Sequence, residues 1–355
     1  MPYRDYCIEG NITVRDAMKA IDNVSPKIIF LTEAAMLKAS LTDGDIRRFL
    51  LGGGKLTDVA LDAANPNTCF AKSEKEAIAL YRRNNYLAIP IVDAQCQITG
   101  IYLGEEHTAK KSAKLEIPVV INAGGKGTRL EPYTKILPKP LIPVGELPII
   151  EHIMQGFQEY GCTRFHTIVN YKKELMKAYF ADCDREYDIT WYDEKKPLGT
   201  GGGLCYLKGK IDTTFIFTNC DNLLLSNYES ILRFHRENHN VITMICAYKN
   251  FTIPYGVVEM GLNGTIKEMR EKPELSYLTN TGIYIVEPEV LADIENEVSI
   301  GFPDIMKAQM AMGRKVAVYP VSEHDWLDMG QMDELERMRS ILSENQKKSE
   351  ENLSI

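Results

Sequence analysis

Residues 117–148 read IPVVINAGGKGTRLEPYTKILPKPLIPVGELP. The apolar run Pro118 to Ile121 has the length and composition of a buried strand. It breaks at once into Ala123-Gly124-Gly125-Lys126-Gly127-Thr128-Arg129. Glycines after a strand let backbone N–H groups approach an anion closely, because no Cβ stands in the way. Arg129 and Lys139 add two positive charges to the same stretch. The segment therefore has the makings of a phosphate cradle. It is neither of two familiar ones: GGKGT lacks the spacer and closing Gly-Lys-Ser/Thr of a P-loop, and GKGTRL lacks the third glycine of a dinucleotide fingerprint. Taken alone, an ordinary tight turn explains it equally well.

Downstream, strand and helix patterns alternate, which predicts a mostly parallel sheet with helices on both faces. Residues 149–160 read as a helix ended by Gly161, followed by a strand at 165–170, a helix at 173–180 and a strand at 189–192. A strand at 214–218 runs into Asn219-Cys220-Asp221, then a helix at 228–237 and a strand at 241–248. A last helix is expected at 332–342, before a polar tail, 343–355. His235 and His239 stand four apart and could share a metal, but Arg236 and Glu237 between them favour a solvated face.

Upstream, residues 1–112 form a separate unit by pattern, with a polar, lysine-rich linker HTAKKSAKLE at 107–116. A helix, two strands and a helix over residues 14–51 recur as a helix at 73–84 and strands at 88–92 and 98–102, which signals paired copies of one small unit. The first copy carries Ser40-Leu41-Thr42-Asp43-Gly44-Asp45. This resembles the end of a CBS domain, in which a Thr and an Asp three residues on meet the ribose of an adenine nucleotide. The resemblance implies Thr42 and Asp45 as that clamp; the same residues also read as a helix N-cap and turn. The second copy has Leu103 and Glu106 at the matching places, so one clamp is missing.

Composition bounds the function. At 355 residues the chain is long enough for two domains, and a formal charge of −8 argues against nucleic-acid or anionic-membrane binding. The eight cysteines are scattered with no CxxC, as expected of reduced, mostly core thiols in a cytoplasmic protein. No signal core or membrane-length apolar run occurs.

The full string from Gly125 to Leu141 closely resembles the start of the sugar-1-phosphate nucleotidyltransferases: Gly-x-Gly-Thr-Arg-Leu, then Pro132 and Thr134, then Pro138-Lys139-Pro140-Leu141. Further matches follow in order across residues 117–340. Tyr192 to Gly202 is similar to the base-and-sugar segment, Asn219-Cys220-Asp221 to the metal-binding Asp motif, and Tyr255 to Glu259 to the sugar-site strand. Glu271-Lys272-Pro273, Asn280-Thr281-Gly282-Ile283-Tyr284 and Trp326 to Gly330 are similar to the sugar-phosphate, sugar and second-metal-ligand segments. The resemblance implies an α/β fold, a Rossmann-like, mixed but mostly parallel sheet of the nucleotide-diphospho-sugar transferase type (residues 113–342), preceded by a small α+β CBS pair. It implies catalytic roles for Arg129, Lys139 and Asp221. The nucleotide would meet Ala123, Gly124, Gly125, Gly127, Thr128, Arg129, Glu194, Gly199 and Thr200. The sugar phosphate would meet Gly201, Gly256, Glu259, Lys272, Asn280 and Gly282, and Mg²⁺ would sit on Asp221 and Asp328.

Pro197-Leu198-Gly199-Thr200-Gly201-Gly202 is closer to guanylyl-transferring relatives than to thymidylyl-transferring ones. With a CBS pair in front, the chain resembles a bacterial group that makes GDP-glucosamine from GTP and glucosamine-1-phosphate for legionaminic-type acids. Mannose- or heptose-1-phosphate guanylyltransferase is the alternative. A non-catalytic sensor of sugar nucleotide and adenylate is the alternative of another class, weighed against the presence of Arg129, Lys139, Asp221, Lys272 and Asp328. Self-association into a homo-oligomer is left open.

Overall fold

The apolar run of the glycine-rich stretch forms the strand Val119–Asn122, third from one edge of a seven-stranded sheet. The computed structural model describes residues 3–84, 86–103, 114–182, 185–330 and 333–340. Two units divide the chain, residues 1–110 and 111–355. The boundary expected at 112/113, most of the linker, Glu106, Cys183, the ends of the last helix and the tail lie outside the described residues.

In the second unit the sheet order is Asp188–Asp193, Arg164–Val169, Val119–Asn122, Phe215–Asn219, Glu274–Val286, Ile242–Thr252, Val316–Ser322. Six strands run one way; Glu274–Val286 alone is antiparallel to both neighbours. Both faces are covered. Val119 and Ile121 enter one apolar core while Val120 enters the other, and Ile216 alternates with Phe215 and Phe217 in the same way. A strand buried on both faces must be apolar throughout, which is why these runs lack polar alternation. The helix Ile149–Gln158 buries Ile149, Ile150, Ile153, Met154 and Phe157 against the first core, and turns out before Gly161, whose φ is +75°.

From Val119–Asn122 the chain steps to one side, through Arg164–Val169 and Asp188–Asp193, then returns to lay Phe215–Asn219 on the other side. The strand order therefore reverses between Val119–Asn122 and Phe215–Asn219. In open parallel sheets a crevice opens at that switch point, beyond the carboxyl ends of the strands. The glycine loop leaves one of those ends and Asp221 follows the other.

Glu274–Val286 is the long strand that the sequence reading missed, and it carries a bulge. Met244 faces Tyr284 and Cys246 faces Asn280, so Thr281 to Ile283 oppose Ile245 alone. The Thr281 hydroxyl donates to Ile245 O at 2.9 Å and fixes the bulge. Gly282 sits in it at φ +78°, where a Cβ would come 2.5 Å from Asn219 Nδ2 and 2.7 Å from Asn222 Nδ2. Bulges re-aim side chains beside functional crevices.

The first unit pairs Cys7–Glu9 parallel to Ile28–Glu33, which is antiparallel to Met36–Thr42. The same arrangement recurs: Ala71 bridges Ile91 in parallel, and Ile89–Val92 is antiparallel to Ile98–Tyr102. The internal repeat read from the sequence is thus present in the backbone. The helix Asp43–Leu51 starts where it does because Thr42 and Asp45 form a reciprocal capping box. Asp45 Oδ2 accepts from Thr42 N at 3.0 Å and from the Thr42 hydroxyl at 2.6 Å.

One expectation fails. His235 does not lie on a solvated face: it is fully buried, with Nδ1 2.8 Å from Thr243 Oγ1 and Nε2 3.0 Å from Glu287 Oε1. Its helix, Tyr228–Glu237, packs that edge onto the strand ends, where a histidine with two partners costs little to bury. His239 lies beyond the helix.

Gly282→Ala should lower stability by on the order of 1–3 kcal/mol, from the strained backbone region it would have to adopt. Thermal melting checks this, with a lower midpoint expected and an unchanged one contradicting the fitted bulge.

Candidate active site

The glycine loop is pinned where it begins. Ala123 N donates to Ile168 O at 2.8 Å, and Gly124 O accepts from Tyr171 N at 3.4 Å. Gly125 is exposed, with open space where a Cβ would stand. Gly127 then turns back with φ +65°; a Cβ there would lie 2.9 Å from Lys139 Cβ and 3.0 Å from Thr134 Cγ2. The loop thus closes over the base of Lys139, and the Lys139 side chain is only 9% exposed. Its ammonium forms an ion pair with Asp221 Oδ2, which stands just past the end of Phe215–Asn219.

Asp328 is delivered to the same place by backbone pairing. Asn222–Leu224 runs antiparallel to Trp326–Asp328, with Asn222 opposite Asp328, and Met329 N donates to Asp221 O at 2.9 Å. The Asp328 carboxyl is pushed up to about 6, by burial first and then by the nearby Asp221 charge, against the lowering pull of Lys139 and Arg129. Four charged groups named from the sequence therefore meet at the switch point: Arg129, Lys139, Asp221 and Asp328.

A second loop, after the strand Asp188–Asp193, forms the facing wall. Glu194 is buried, its N–H donating to Val169 O at 2.9 Å. Its carboxylate lies against the glycine loop: a Cβ on Gly124 would be 2.8 Å from Glu194 Oε2, and one on Gly203 would be 2.7 Å from Oε1. Glu194 Oε1 is buried with no hydrogen-bond partner among the described residues. Burial pushes this carboxyl up to about 7, against a lowering hydrogen bond from the Leu198 backbone. The loop is braced from behind by Ile300 and Phe302: Gly201 N donates to Ile300 O at 3.0 Å, and Phe302 N donates to Thr200 Oγ1 at 3.0 Å.

Arg129 and Thr200, from the ends of these two loops, edge an open cleft of about 380 Å³ that is lined also by Asp221, Asn280, Gly282 and Asp328. Asn280 is oriented by the bulge: Oδ1 accepts from Gly282 N at 2.9 Å and Nδ2 donates to Tyr284 OH at 2.7 Å. Gly256, Glu259 and Lys272 do not line it. They belong to an exposed arm around the hairpin Val257–Met260 and Ile266–Arg270, outside the main sheet, and Glu259 pairs there with Lys267. The sequence reading passed over Asn222 and Phe302 as lining residues. Trp326 both packs in the core and edges the cleft, its Nε1 donating to Asn222 Oδ1 at 3.3 Å.

The carboxylates suit a hard dication. Asp221 Oδ1 is buried and meets no hydrogen-bond donor among the described residues, so it retains an unused acceptor beside Asp328. No cluster of three or more His, Cys, Asp or Glu side chains occurs among the described residues. Mg²⁺ needs no such cluster, being commonly held by one or two carboxylates with substrate phosphates completing its shell.

The Glu194 shift sets a pH dependence of stability. Its folded value lies above the ordinary 4.5, so its stabilising contribution is complete below that value and is lost as pH rises through about 7. Glu194→Gln should therefore melt several degrees higher than the wild type at pH 8.5, with the gap closing toward pH 5. Equal melting at both pH values would contradict the burial argument.

Comparisons with known proteins give the family. Residues 118–345 match the family described as Nucleotidyl transferase. A UTP–glucose-1-phosphate uridylyltransferase of Synechocystis is 32% identical over 254 residues, 63% of either chain. A mannose-1-phosphate guanyltransferase of Pichia angusta is 32% identical over 60% of either chain. The bifunctional protein GlmU of Methanococcus maripaludis is 34% identical over 50% of this chain and 42% of its own. The matches thus span about two fifths to two thirds of these relatives' lengths. Among solved structures, HddC of Yersinia pseudotuberculosis complexed with GMP-PN superposes with a TM-score of 0.51 at 19% identity, over 64% of this chain and 99% of that one, a likeness of fold. No helix among the described residues is long and apolar enough to cross a membrane. With its match covering more than half of its length, the chain belongs to the nucleotidyl transferase family.

Proposed function

We propose that the chain transfers a nucleoside monophosphate from a nucleoside triphosphate to a sugar-1-phosphate, releasing pyrophosphate. The observation that carries this is the convergence of Arg129, Lys139, Asp221 and Asp328 on one cleft beside the glycine loop. No general base is required. The second pKa of a phosphate monoester is about 6, so the attacking sugar phosphate is already a dianion at neutral pH. What remains is to hold two mutually repelling anions together and to stabilise charge on the α-phosphoryl group. Backbone N–H groups of Gly124 to Thr128 cradle the triphosphate, and the Arg129 fork neutralises the leaving pyrophosphate. Lys139 meets the reacting phosphate, and Lys272 on the arm meets the sugar phosphate. Asp221 and Asp328 would hold Mg²⁺, which supplies charge neutralisation at the phosphates.

Glu194 supports GTP as the donor. Guanine presents two adjacent donors, N1–H and N2–H₂, to a single carboxylate; uracil offers one N–H between two carbonyls, and adenine pairs one amino donor with an acceptor. The buried Glu194 carboxylate, with Oε2 against Gly124 of the glycine loop and Oε1 unpartnered at Gly203, fits the guanine edge best. Glucosamine-1-phosphate is our preferred acceptor, on the resemblance drawn from the sequence, and mannose- or heptose-1-phosphate is the next. The backbone repeat in the first unit supports a CBS pair there, with Thr42 and Asp45 as the adenine-nucleotide contact. A turnover rate unchanged by AMP or ATP, with no measurable binding of either, would contradict that role.

Pyrophosphate release across a panel of triphosphates and sugar-1-phosphates tests the reaction, and GTP with glucosamine-1-phosphate should be fastest. Lys139→Ala and Asp221→Asn should each lower turnover by roughly two orders of magnitude or more, in keeping with the loss of a preorganised charge. Silence in every combination, or near-normal turnover in Lys139→Ala, would refute the assignment. With GTP, kcat/KM should rise with pH through about 7 as Glu194 ionises, and Glu194→Gln should lose both this rise and the preference for GTP.

A further inference from the structure

We propose that Lys139 and a dication compete for Asp221, so that the lysine keeps the metal position closed until a triphosphate draws it away. The inference rests on the reading of Asp221 as a metal-holding carboxylate. Lys139 is anchored beneath Gly127, and its ammonium sits on Asp221 Oδ2, with the two side chains 9% and 15% exposed. The other oxygen, Oδ1, is buried and has no donor. One carboxylate thus carries the ammonium on one oxygen and an acceptor suited to a dication on the other.

Charge decides whether both cations can stay. Lys139, Asp221 and Asp328 together carry a net −1 when ionised. A dication added with the lysine in place makes the cluster +1, with the Arg129 charge close enough to act on Asp328 as well. Like charges gathered in a poorly solvated site repel strongly, since little water screens them. If the ammonium leaves Asp221, the dication and the two carboxylates balance to zero. Incoming phosphates give the freed ammonium its next partner, a charge-assisted bond to a phosphoryl oxygen. One event thus seats the dication and moves Lys139 onto the phosphate, so metal and triphosphate load together and the metal alone is held out.

Binding of Mn²⁺ alone to the full-length protein, read from the electron paramagnetic resonance of free Mn²⁺, tests this without turnover. Lys139→Met and Lys139→Gln should each bind Mn²⁺ at least about tenfold more tightly than the wild type when no nucleotide is present. The gain should vanish in Lys139→Met combined with Asp221→Asn. Unchanged Mn²⁺ affinity in the folded lysine variants would overturn the competition, and so would a gain that survives Asp221→Asn. A separate arm protects the parent reading. If GTP tightens Mn²⁺ binding in the wild type and Asp221→Asn abolishes that effect, Asp221 remains a metal carboxylate even where the competition fails. If Asp221→Asn has no effect with GTP, both readings fall.

Discussion

A buried ion pair between residues 82 positions apart, Lys139 and Asp221, ties the site together. It fastens the end of the glycine stretch to the end of a central strand. Each partner would be costly to leave alone in so poorly solvated a place, because a lone buried charge lacks both water and a counter-ion. Much of the surrounding structure sets their approach. Parallel pairing of Val119–Asn122 with Phe215–Asn219 aligns the two strand ends in register, Asn122 opposite Asn219. The left-handed turn at Gly127 brings the loop down onto Lys139, and the Asn222–Asp328 pairing sets a second carboxylate beside the first. Two carboxylates, one lysine and one orphaned acceptor make a site poised to exchange partners.

The site also accepts unfavourable electrostatics. Glu194 and Asp328 are both held above ordinary carboxylate values by burial, so each ionised form is destabilised in the folded protein. A chain selected for stability alone would place neutral groups there. Carboxylates that are uncomfortable when alone gain most when a donor-bearing base or a cation arrives, which is how local instability becomes binding selectivity.

Much of this was legible in the sequence because it is local. The glycine loop, the Pro-Lys-Pro turn and the Asn-Cys-Asp strand end are short contiguous strings whose chemistry follows from residue type, and the alternation of strands and helices gave the mostly parallel sheet. What stayed hidden depends on pairing at a distance. The antiparallel insertion of Glu274–Val286, its bulge at Gly282 and the meeting of Lys139 with Asp221 leave no mark in a one-dimensional pattern. Burial was equally silent: His235 sits among charged neighbours in sequence, yet its partners, Thr243 and Glu287, come from other elements. Thr42 and Asp45 show the reverse, since one short string specifies a capping box and resembles a ribose clamp at once.

A crystal structure of the full chain with Mg²⁺ and a non-hydrolysable GTP analogue bears most directly on the proposed nucleotidyl-transfer site. The triphosphate should lie along Gly124–Arg129, with guanine facing Glu194 and the Lys139 ammonium moved from Asp221 to a phosphoryl oxygen. A triphosphate bound away from the glycine loop, with the Lys139–Asp221 pair intact, would contradict it.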